Sequence, residues 1–144
     1  MNRRCRFSAL PVLWFGLAFL VFQLIFVVGY IPTTSMEPTI KSQTIILGMR
    51  GNAKLEQGDI VIFKRDGQTM VKRIAACPGD TVYECRGIYL ECLGKCDGQS
   101  TPIVVPEHSY FMLGDNEQNS HDSRFWYDDP FVHKRDVVGK ALIY

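Results

Sequence analysis

Residues 59–76 read DIVIFKRDGQTMVKRIAA, and this stretch indicates the class of fold. Its two arms, Asp59–Lys64 and Thr69–Ala76, are rich in Ile and Val, which favour pleated strands. Asp66 and Gly67 lie between the arms and are the residue types that a tight two-residue turn requires. The stretch is therefore predicted to form a β-hairpin.

The second arm of this hairpin contains two adjacent cations, Lys72 and Arg73. Side chains alternate across a strand, so the two cations point to opposite faces. Lys72 shares its face with Met70 and Ile74, and these apolar neighbours would desolvate its ammonium group and lower its pKa. Lysines on strands are more often exposed, with only the stem packed on the surface. If Lys72 is buried instead, it is a candidate base.

Similar runs of apolar and β-branched residues predict more strands in the rest of the chain. They are Gln43–Met49, Thr81–Cys85, Ile88–Cys92, Tyr110–Leu113 and Asp136–Tyr144. Residues 93–106 have a loop-like composition, and nothing after residue 31 has helical periodicity. About a hundred residues form only one small core, so we expect a single, mostly β domain.

The N-terminal part of the chain differs sharply from the rest. Residues 9–31 are apolar apart from Gln23. As a helix they would reach the roughly 30 Å needed to cross a bilayer core. Three arginines precede the run and Lys41 is the first basic residue after it, so the positive-inside rule places the N-terminus in the cytoplasm.

This pattern predicts a cytoplasmic N-terminus (residues 1–8), a single transmembrane helix in contact with lipid (9–31) and an extracytoplasmic domain (32–144). A cleaved secretory signal is the alternative. The apolar run is longer than a usual signal core, and its end, VGYIP, lacks an A-x-A-like cleavage site. We therefore expect the segment to be retained.

The positions of the cysteines agree with a cytoplasmic N-terminus and an extracytoplasmic domain. Cys5 would remain on the reducing side, whereas Cys77, Cys85, Cys92 and Cys96 form an even set on the oxidising side, which predicts two disulfides. Three pairings are possible, and closeness in sequence favours Cys92 with Cys96 and hence Cys77 with Cys85. A zinc site is disfavoured because the spacing lacks two Cys-x-x-Cys knuckles.

Charge and histidine content disfavour other classes of partner. Sixteen basic and 15 acidic residues give a net charge of +1, so no extended basic surface is available for nucleic acid. Three scattered histidines do not suggest a metal site, and no cofactor is expected. The adjacent His121, Asp122 and Ser123 are not interpreted as a catalytic triad, because neighbouring side chains rarely converge on one another.

A second stretch, residues 31–40 (IPTTSMEPTI), begins where the apolar run ends. Pro32 and Pro38 restrict the backbone, so the intervening loop can hold a hydroxyl group in place. The hydroxyls available are those of Thr33, Thr34 and Ser35. On its own this stretch would be a polar linker next to the membrane.

Four blocks of the sequence, in order, resemble the membrane-bound type I signal peptidases of the S26 family, serine proteases with a Ser-Lys dyad. A single S-M-x-P motif would be weak, but four ordered blocks after an apolar segment make a specific match over nearly the whole chain. The blocks are SMEPT (35–39), GDIVIF (58–63), VKRI with PGD (71–74 and 78–80), and GDN with NSHDSRFW (114–116 and 119–126).

The resemblance implies roles for individual residues. Ser35 would attack the scissile carbonyl, Lys72 would act as general base, and water would hydrolyse the acyl-enzyme. The Ser35 N–H and the Thr33 hydroxyl would bind the oxyanion, and Ser120 would orient the lysine amine. Supporting positions fall on Asp115, Asp122 and Arg124, the last two as an ion pair.

The implied activity is removal of signal peptides from exported preproteins, after small side chains, at the outer face of the cytoplasmic membrane. Glu117-Gln118 and Tyr127 depart from the pattern of many members, and residues 81–113 are too short for a second domain. The substrate therefore stays open, and a dedicated peptidase for pilin or conjugative-transfer precursors is the alternative.

Two other interpretations are weaker. A self-cleaving repressor protease shares the Ser-Lys chemistry, but it would need a DNA-binding domain instead of an apolar segment. A non-catalytic, membrane-anchored assembly subunit would not need both Ser35 and Lys72.

Overall fold

The computed structural model describes residues 10–51, 54–85, 88–90, 100–126 and 128–144. Within these ranges there is one α-helix, α1 (Leu10–Ile25), together with ten strands and three short 3₁₀ helices. The strands are β1 (Phe26–Ile31), β2 (Thr44–Met49), β3 (Ile60–Arg65), β4 (Gln68–Ala76), β5 (Thr81–Cys85), β6 (Ile88–Leu90), β7 (Thr101–Val104), β8 (Ser109–Leu113), β9 (Phe131–His133) and β10 (Val137–Ile143). The 3₁₀ helices are Glu117–Asn119, Ser123–Phe125 and Lys134–Asp136.

The described strands form two antiparallel sheets. Seven strands make the larger sheet, in the order β1-β2-β10-β3-β4-β8-β9, and three make the smaller one, in the order β6-β5-β7. The prediction of a mostly β domain is confirmed.

The predicted hairpin is present as β3 and β4. Val61 faces Lys72 and Phe63 faces Met70 across the two strands. Asp66 (φ 50°) and Gly67 (φ 75°) both adopt left-handed backbone conformations, as the tight turn of a hairpin requires. The turn therefore has the residues that its geometry demands.

Both faces of this hairpin are buried, because alternate residues join two different hydrophobic clusters. Val61, Phe63 and Ile74 pack in one cluster with residues of β8 and with Trp126. Ile60 and Ile62 pack on the other face, in a cluster that also contains Ile31, Met36, Ile40 and Ile46. A third cluster, which includes Val82 of β5 and Phe111 of β8, joins the small sheet to the large one.

The predicted helix over residues 9–31 is wrong for its last six residues. The helix ends at Ile25, and β1 then pairs antiparallel with β2 from Phe26 opposite Met49 to Ile31 opposite Thr44. This segment, FVVGYI, consists largely of β-branched and aromatic residues, which favour a strand once a partner strand is available, and its glycine weakens a helix. None of the described helices is both long and apolar enough to cross a membrane.

Two short strands were not predicted. β7 lies within a segment predicted as loop and contains Pro102, which an outer strand such as β7 tolerates. β9 has only three residues, too few for a recognisable alternation. Of the predicted strand 88–92, residues 88–90 form β6, and residues 91–92 lie outside the described ranges.

The predicted disulfide between Cys77 and Cys85 is not formed, because Cys77 is a free cysteine. Cys77 packs at the edge of the cluster around Phe63, and burial raises the pKa of its thiol. Cys92 and Cys96 lie outside the described residues.

The turn at Gly67 can be tested by substitution. A Cβ at this position would meet no atom within 4 Å, so the cost of a side chain is conformational only. We expect Gly67→Ala to lower the free energy of unfolding by about 1 to 2 kcal/mol in urea titrations. Gly67→Asn should cost less, because asparagine tolerates the left-handed region. Equal stability of all three proteins would contradict this account of the turn.

Candidate active site

Ser35 and Lys72, 37 residues apart in sequence, meet in the structure. Lys72 Nζ donates a hydrogen bond to Ser35 Oγ at 2.7 Å. Ser35 is only 7% exposed and Lys72 only 5%, so the contact is shielded from water. The interpretation of Lys72 as a surface cation is thereby excluded.

A compact turn presents Ser35. Thr34 O accepts a hydrogen bond from the Glu37 N–H at 3.1 Å, and Met36 O accepts one from the Ile40 N–H at 2.8 Å. The peptide between Glu37 and Pro38 is cis. Met36 is fully buried and, with Ile40, fixes the turn to the cluster beneath the sheet.

The surroundings of Lys72 favour its neutral form. Burial is the main reason that its pKa is lowered from the ordinary 10.5, and the nearby Arg124 guanidinium acts in the same direction. The carboxylates of Asp122 and Asp115 oppose this effect. The geometry thus provides a shielded amine with reduced basicity next to a hydroxyl group.

The ion pair implied between Asp122 and Arg124 is present. Arg124 Nε and Nη2 donate to the two Asp122 carboxylate oxygens, each at 2.9 Å, and the Gly114 N–H also donates to Asp122 at 2.9 Å. Burial alone would raise the pKa of Asp122, but Arg124 and the Gly114 N–H hold it below its usual value. Because Arg124 neutralises this carboxylate, Asp122 stabilises the Lys72 ammonium less than a free carboxylate would.

Asp115 forms a second ion pair that sequence reasoning did not identify. Arg73 Nε and Nη2 donate to its carboxylate oxygens at 2.8 and 2.6 Å, and Arg73 Nη1 donates to Gly58 O at 2.7 Å. Arg73 therefore links β4, the loop before β3 and the segment after β8. In the sequence, Arg73 directly follows Lys72, so on a strand its side chain points to the opposite face. This is the feature that could have indicated a separate role for Arg73.

Thr33 lies beside Ser35. Its Oγ1 is 3.3 Å from Ser35 Oγ, close enough for the hydroxyl to reach an oxygen formed beside the nucleophile. Ser120 is buried, and its hydroxyl lies close enough to the Asp122 carboxylate to help lower the pKa of Asp122, but it forms no hydrogen bond with Lys72. The lysine-orienting role of Ser120 stays a prediction.

Gly114 allows the last sequence block to approach Ser35. A Cβ at this position would lie 2.6 Å from Ser35 O and would overlap the Ser120 side chain. Two residues later, Asn116 contacts the same loop: its N–H donates to Ser35 O and its Nδ2 to Thr34 O, both at 3.1 Å. Neither residue was assigned a role from sequence.

His121, Asp122 and Ser123 do not form a triad, as expected. Ser123 Oγ accepts a hydrogen bond from the Met112 N–H at 2.9 Å, while the His121 ring stacks on Phe125 with ring centroids 6.1 Å apart. The three side chains serve different parts of the structure.

A cleft of about 380 Å³ opens at the Ser35–Lys72 contact. Tyr30 and Ile31 of β1 lie on its wall, together with Gln68–Lys72 of β4, Asn119 and His121. β1 is the first strand of the large sheet, and β8 pairs with β4 only from Arg73 onward. Among the described strands, both walls therefore expose a backbone edge to the cleft.

No group of three His, Cys, Asp or Glu side chains suited to a metal ion occurs among the described residues. The arrangement instead offers an activated hydroxyl, a base and hydrogen-bond donors, which are the parts that a serine hydrolase with a lysine base requires.

Comparison with known proteins agrees with this class. The family model described as "Signal peptidase, peptidase S26" matches residues 4–91 and 84–144. Probable signal peptidase I-2 of Synechocystis sp. is 32% identical over 136 residues, which cover 79% of this chain and 60% of that protein. Signal peptidase I S of Bacillus subtilis is 32% identical over 132 residues, covering 75% of this chain and 71% of that protein.

A crystal structure of a signal peptidase I from Enterococcus faecalis V583 aligns with a TM-score of 0.46 and 27% identity, over 64% of this chain and 99% of that chain. On the family model and the sequence relatives, the chain belongs to the signal peptidase family, peptidase S26. It spans 60% of the length of its Synechocystis relative.

The buried ion pair makes a prediction about stability. Removing one partner of such a pair leaves the other charge uncompensated, so we expect Asp122→Asn to lower the free energy of unfolding by about 3 kcal/mol. Because the folded state lowers the pKa of Asp122, its contribution is complete above about pH 4 and is lost as the pH falls through the lowered value.

Denaturant titrations across acidic pH test this prediction. The wild type should lose stability on acidification more steeply than Asp122→Asn. The exposed Asp128→Asn, which removes the same charge, should behave like the wild type. Equal acid dependence of the wild type and Asp122→Asn would contradict the assignment.

Proposed function

We propose that this protein is a membrane-anchored serine endopeptidase that removes signal peptides from exported preproteins. The observation that carries the proposal is the 2.7 Å contact between Lys72 Nζ and Ser35 Oγ in a site shielded from water. Membership of the signal peptidase family supports it.

The reaction begins with transfer of the Ser35 hydroxyl proton to the neutral amine of Lys72. Ser35 Oγ then attacks the carbonyl carbon of the scissile peptide, and the Lys72 ammonium returns the proton to the departing amine. Water, deprotonated by the same lysine, hydrolyses the acyl-enzyme. A lysine serves both steps only if it is largely neutral at the working pH, and burial in the apolar face of β4 favours that form.

The developing oxyanion would accept hydrogen bonds from the Ser35 N–H and the Thr33 hydroxyl. The 3.3 Å separation of the Thr33 and Ser35 hydroxyl oxygens supports this role for Thr33. Loss of one such donor in serine hydrolases costs about 3 kcal/mol of transition-state stabilisation.

The cleft suits an extended peptide. β1 and the first half of β4 both present backbone edges to it, and an extended substrate can add main-chain hydrogen bonds to such edges. The apolar side chains of Ile31, Met70 and Val71 on its wall favour apolar residues over charged ones. Small side chains before the cut are proposed from the family resemblance.

The proposed membrane location is based on the exposed apolar surface of α1 and of one face of the large sheet. Every residue of α1 is exposed. On the sheet, Tyr30 faces Ile45, and Ile143 lies beside them on the same exposed face. Apolar surface of this extent favours contact with lipid. We place the N-terminus in the cytoplasm and the catalytic domain on the extracytoplasmic side.

The decisive experiment is cleavage by the purified full chain in detergent. The wild type, Ser35→Ala and Lys72→Met are each incubated with a panel of preproteins and pilin precursors, and products are read by mass spectrometry. We expect cleavage after a small residue by the wild type, and a loss of at least about 10⁴-fold in both variants, as for other catalytic nucleophiles and bases.

Lys64→Met is the matched control, because Lys64 is an exposed strand lysine on β3. It should cleave as the wild type does. Cleavage by Ser35→Ala, or no cleavage of any precursor by folded wild type, would overturn the proposed function. The panel also separates a general preprotein peptidase from one dedicated to pilin precursors.

The pH profile of kcat/KM should report Lys72. Activity should rise with pH as the ammonium loses its proton, with the midpoint below 10.5 because the pKa of Lys72 is lowered. Arg124→Gln should move the midpoint upward, since it leaves the Asp122 carboxylate unneutralised beside the ammonium. Arg124→Lys retains a cation and should move it less. A profile that is flat from acid to alkaline pH would remove Lys72 as the titrating base.

A further inference from the structure

We propose that Asn116 is a positioning residue for the oxyanion donor of Ser35. Its side-chain amide holds the carbonyl of Thr34, and through it the peptide group whose N–H is that of Ser35. This inference rests on the proposed acyl-transfer function and assigns to it a residue outside the Ser-Lys pair.

The argument starts from the planarity of the peptide group. Asn116 Nδ2 donates to Thr34 O at 3.1 Å. The Thr34 carbonyl and the Ser35 N–H belong to the same peptide, which is planar, so in its trans form they point in opposite directions. A group that holds the carbonyl from one side therefore fixes the direction of the N–H on the other side.

The same residue holds the next carbonyl as well. The Asn116 backbone N–H donates to Ser35 O at 3.1 Å. Two consecutive peptide groups around the nucleophile are thus attached to the segment after β8. Substitution of the side chain removes only the contact to Thr34 and leaves the backbone contact in place, so the variants retain one of the two attachments.

The Asn116 side chain contacts Thr34 and does not cap the short helix that follows it. Asn116 stands at the N-cap of the 3₁₀ helix Glu117–Asn119, where an asparagine side chain usually accepts a hydrogen bond from the helix backbone. It makes no such cap. Instead the amide reaches a loop 82 residues earlier in the chain.

The Thr34 carbonyl receives two donors, one from inside its own turn and one from outside. The Glu37 N–H belongs to the turn and moves with it, whereas Asn116 is attached to the sheet through β8. Of these two donors to Thr34 O, the Asn116 amide is therefore the one that ties the carbonyl to the sheet. Donation to the carbonyl also polarises the peptide, which strengthens its N–H as a donor.

The expected kinetic effect follows from this role. Removing an oxyanion donor outright costs about 10²- to 10³-fold in kcat. Freeing a donor that is still present should cost less, about 10- to 100-fold. KM should change by less than about twofold, because the oxyanion forms only in the transition state.

The test compares full-length wild type with Asn116→Ala and Asn116→Asp. Aspartate has nearly the same shape but its carboxylate cannot donate to Thr34 O. Gln118→Glu is the matched control, since it makes the same amide-to-carboxylate change at an exposed position two residues away. We expect kcat to fall in both Asn116 variants and to stay unchanged in Gln118→Glu, on a preprotein that the wild type cleaves.

Two further readouts separate positioning from general damage. The midpoint of the pH profile should be the same in Asn116→Ala as in the wild type, because Lys72 and its neighbours are untouched. The unfolding temperature should also stay close to that of the wild type. A full kcat in both Asn116 variants overturns the inference and leaves the proposed function intact.

A raised KM together with a displaced pH midpoint also overturns it, because that pattern indicates a disturbed site. If the folded wild type cleaves no precursor, the proposed function fails first and the inference fails with it.

Discussion

Burial of the Lys72 amine beside the Ser35 hydroxyl is the constraint on which the rest of the structure depends. A charged ammonium is costly to bury, so exclusion of water by the folded domain favours the neutral amine of Lys72. Strands β3 and β4 exclude water because hydrophobic clusters cover both of their faces. The same packing buries Met36, which holds the loop containing Ser35 against the sheet.

The polar residues after β8 adjust this apolar site. Asp122 would favour the charged lysine, but its two hydrogen bonds from Arg124 cancel much of that effect. Asp115 is held in the same way by Arg73. Each carboxylate is therefore paired with an arginine that holds the backbone and the neighbouring loops. The pKa of Lys72 is set mainly by burial.

Sequence patterns predicted the hairpin and the mostly β domain, because alternation and turn residues are local signals, whereas the Ser35–Lys72 pair was predicted from the resemblance of four ordered blocks to a known family. They did not predict where the apolar N-terminal run changes from helix to strand. That change depends on pairing with β2, a contact between distant residues. The contacts of Arg73 and Asn116 were missed for the same reason, since each joins residues that are far apart along the chain. The Cys77–Cys85 pairing was inferred from closeness in sequence alone, which does not determine which side chains meet in the fold, and Cys77 is a free cysteine.

The direct passage of α1 into β1 has a geometric consequence. No flexible connection separates the apolar helix from the sheet, and only three residues follow β1 before Ser35. Six residues of strand span about 20 Å, and the pairing with β2 keeps them straight. β1 therefore fixes the distance between the end of the helix and Ser35. Under the proposed membrane location, the length of this one strand sets how far Ser35 lies from the end of the apolar helix.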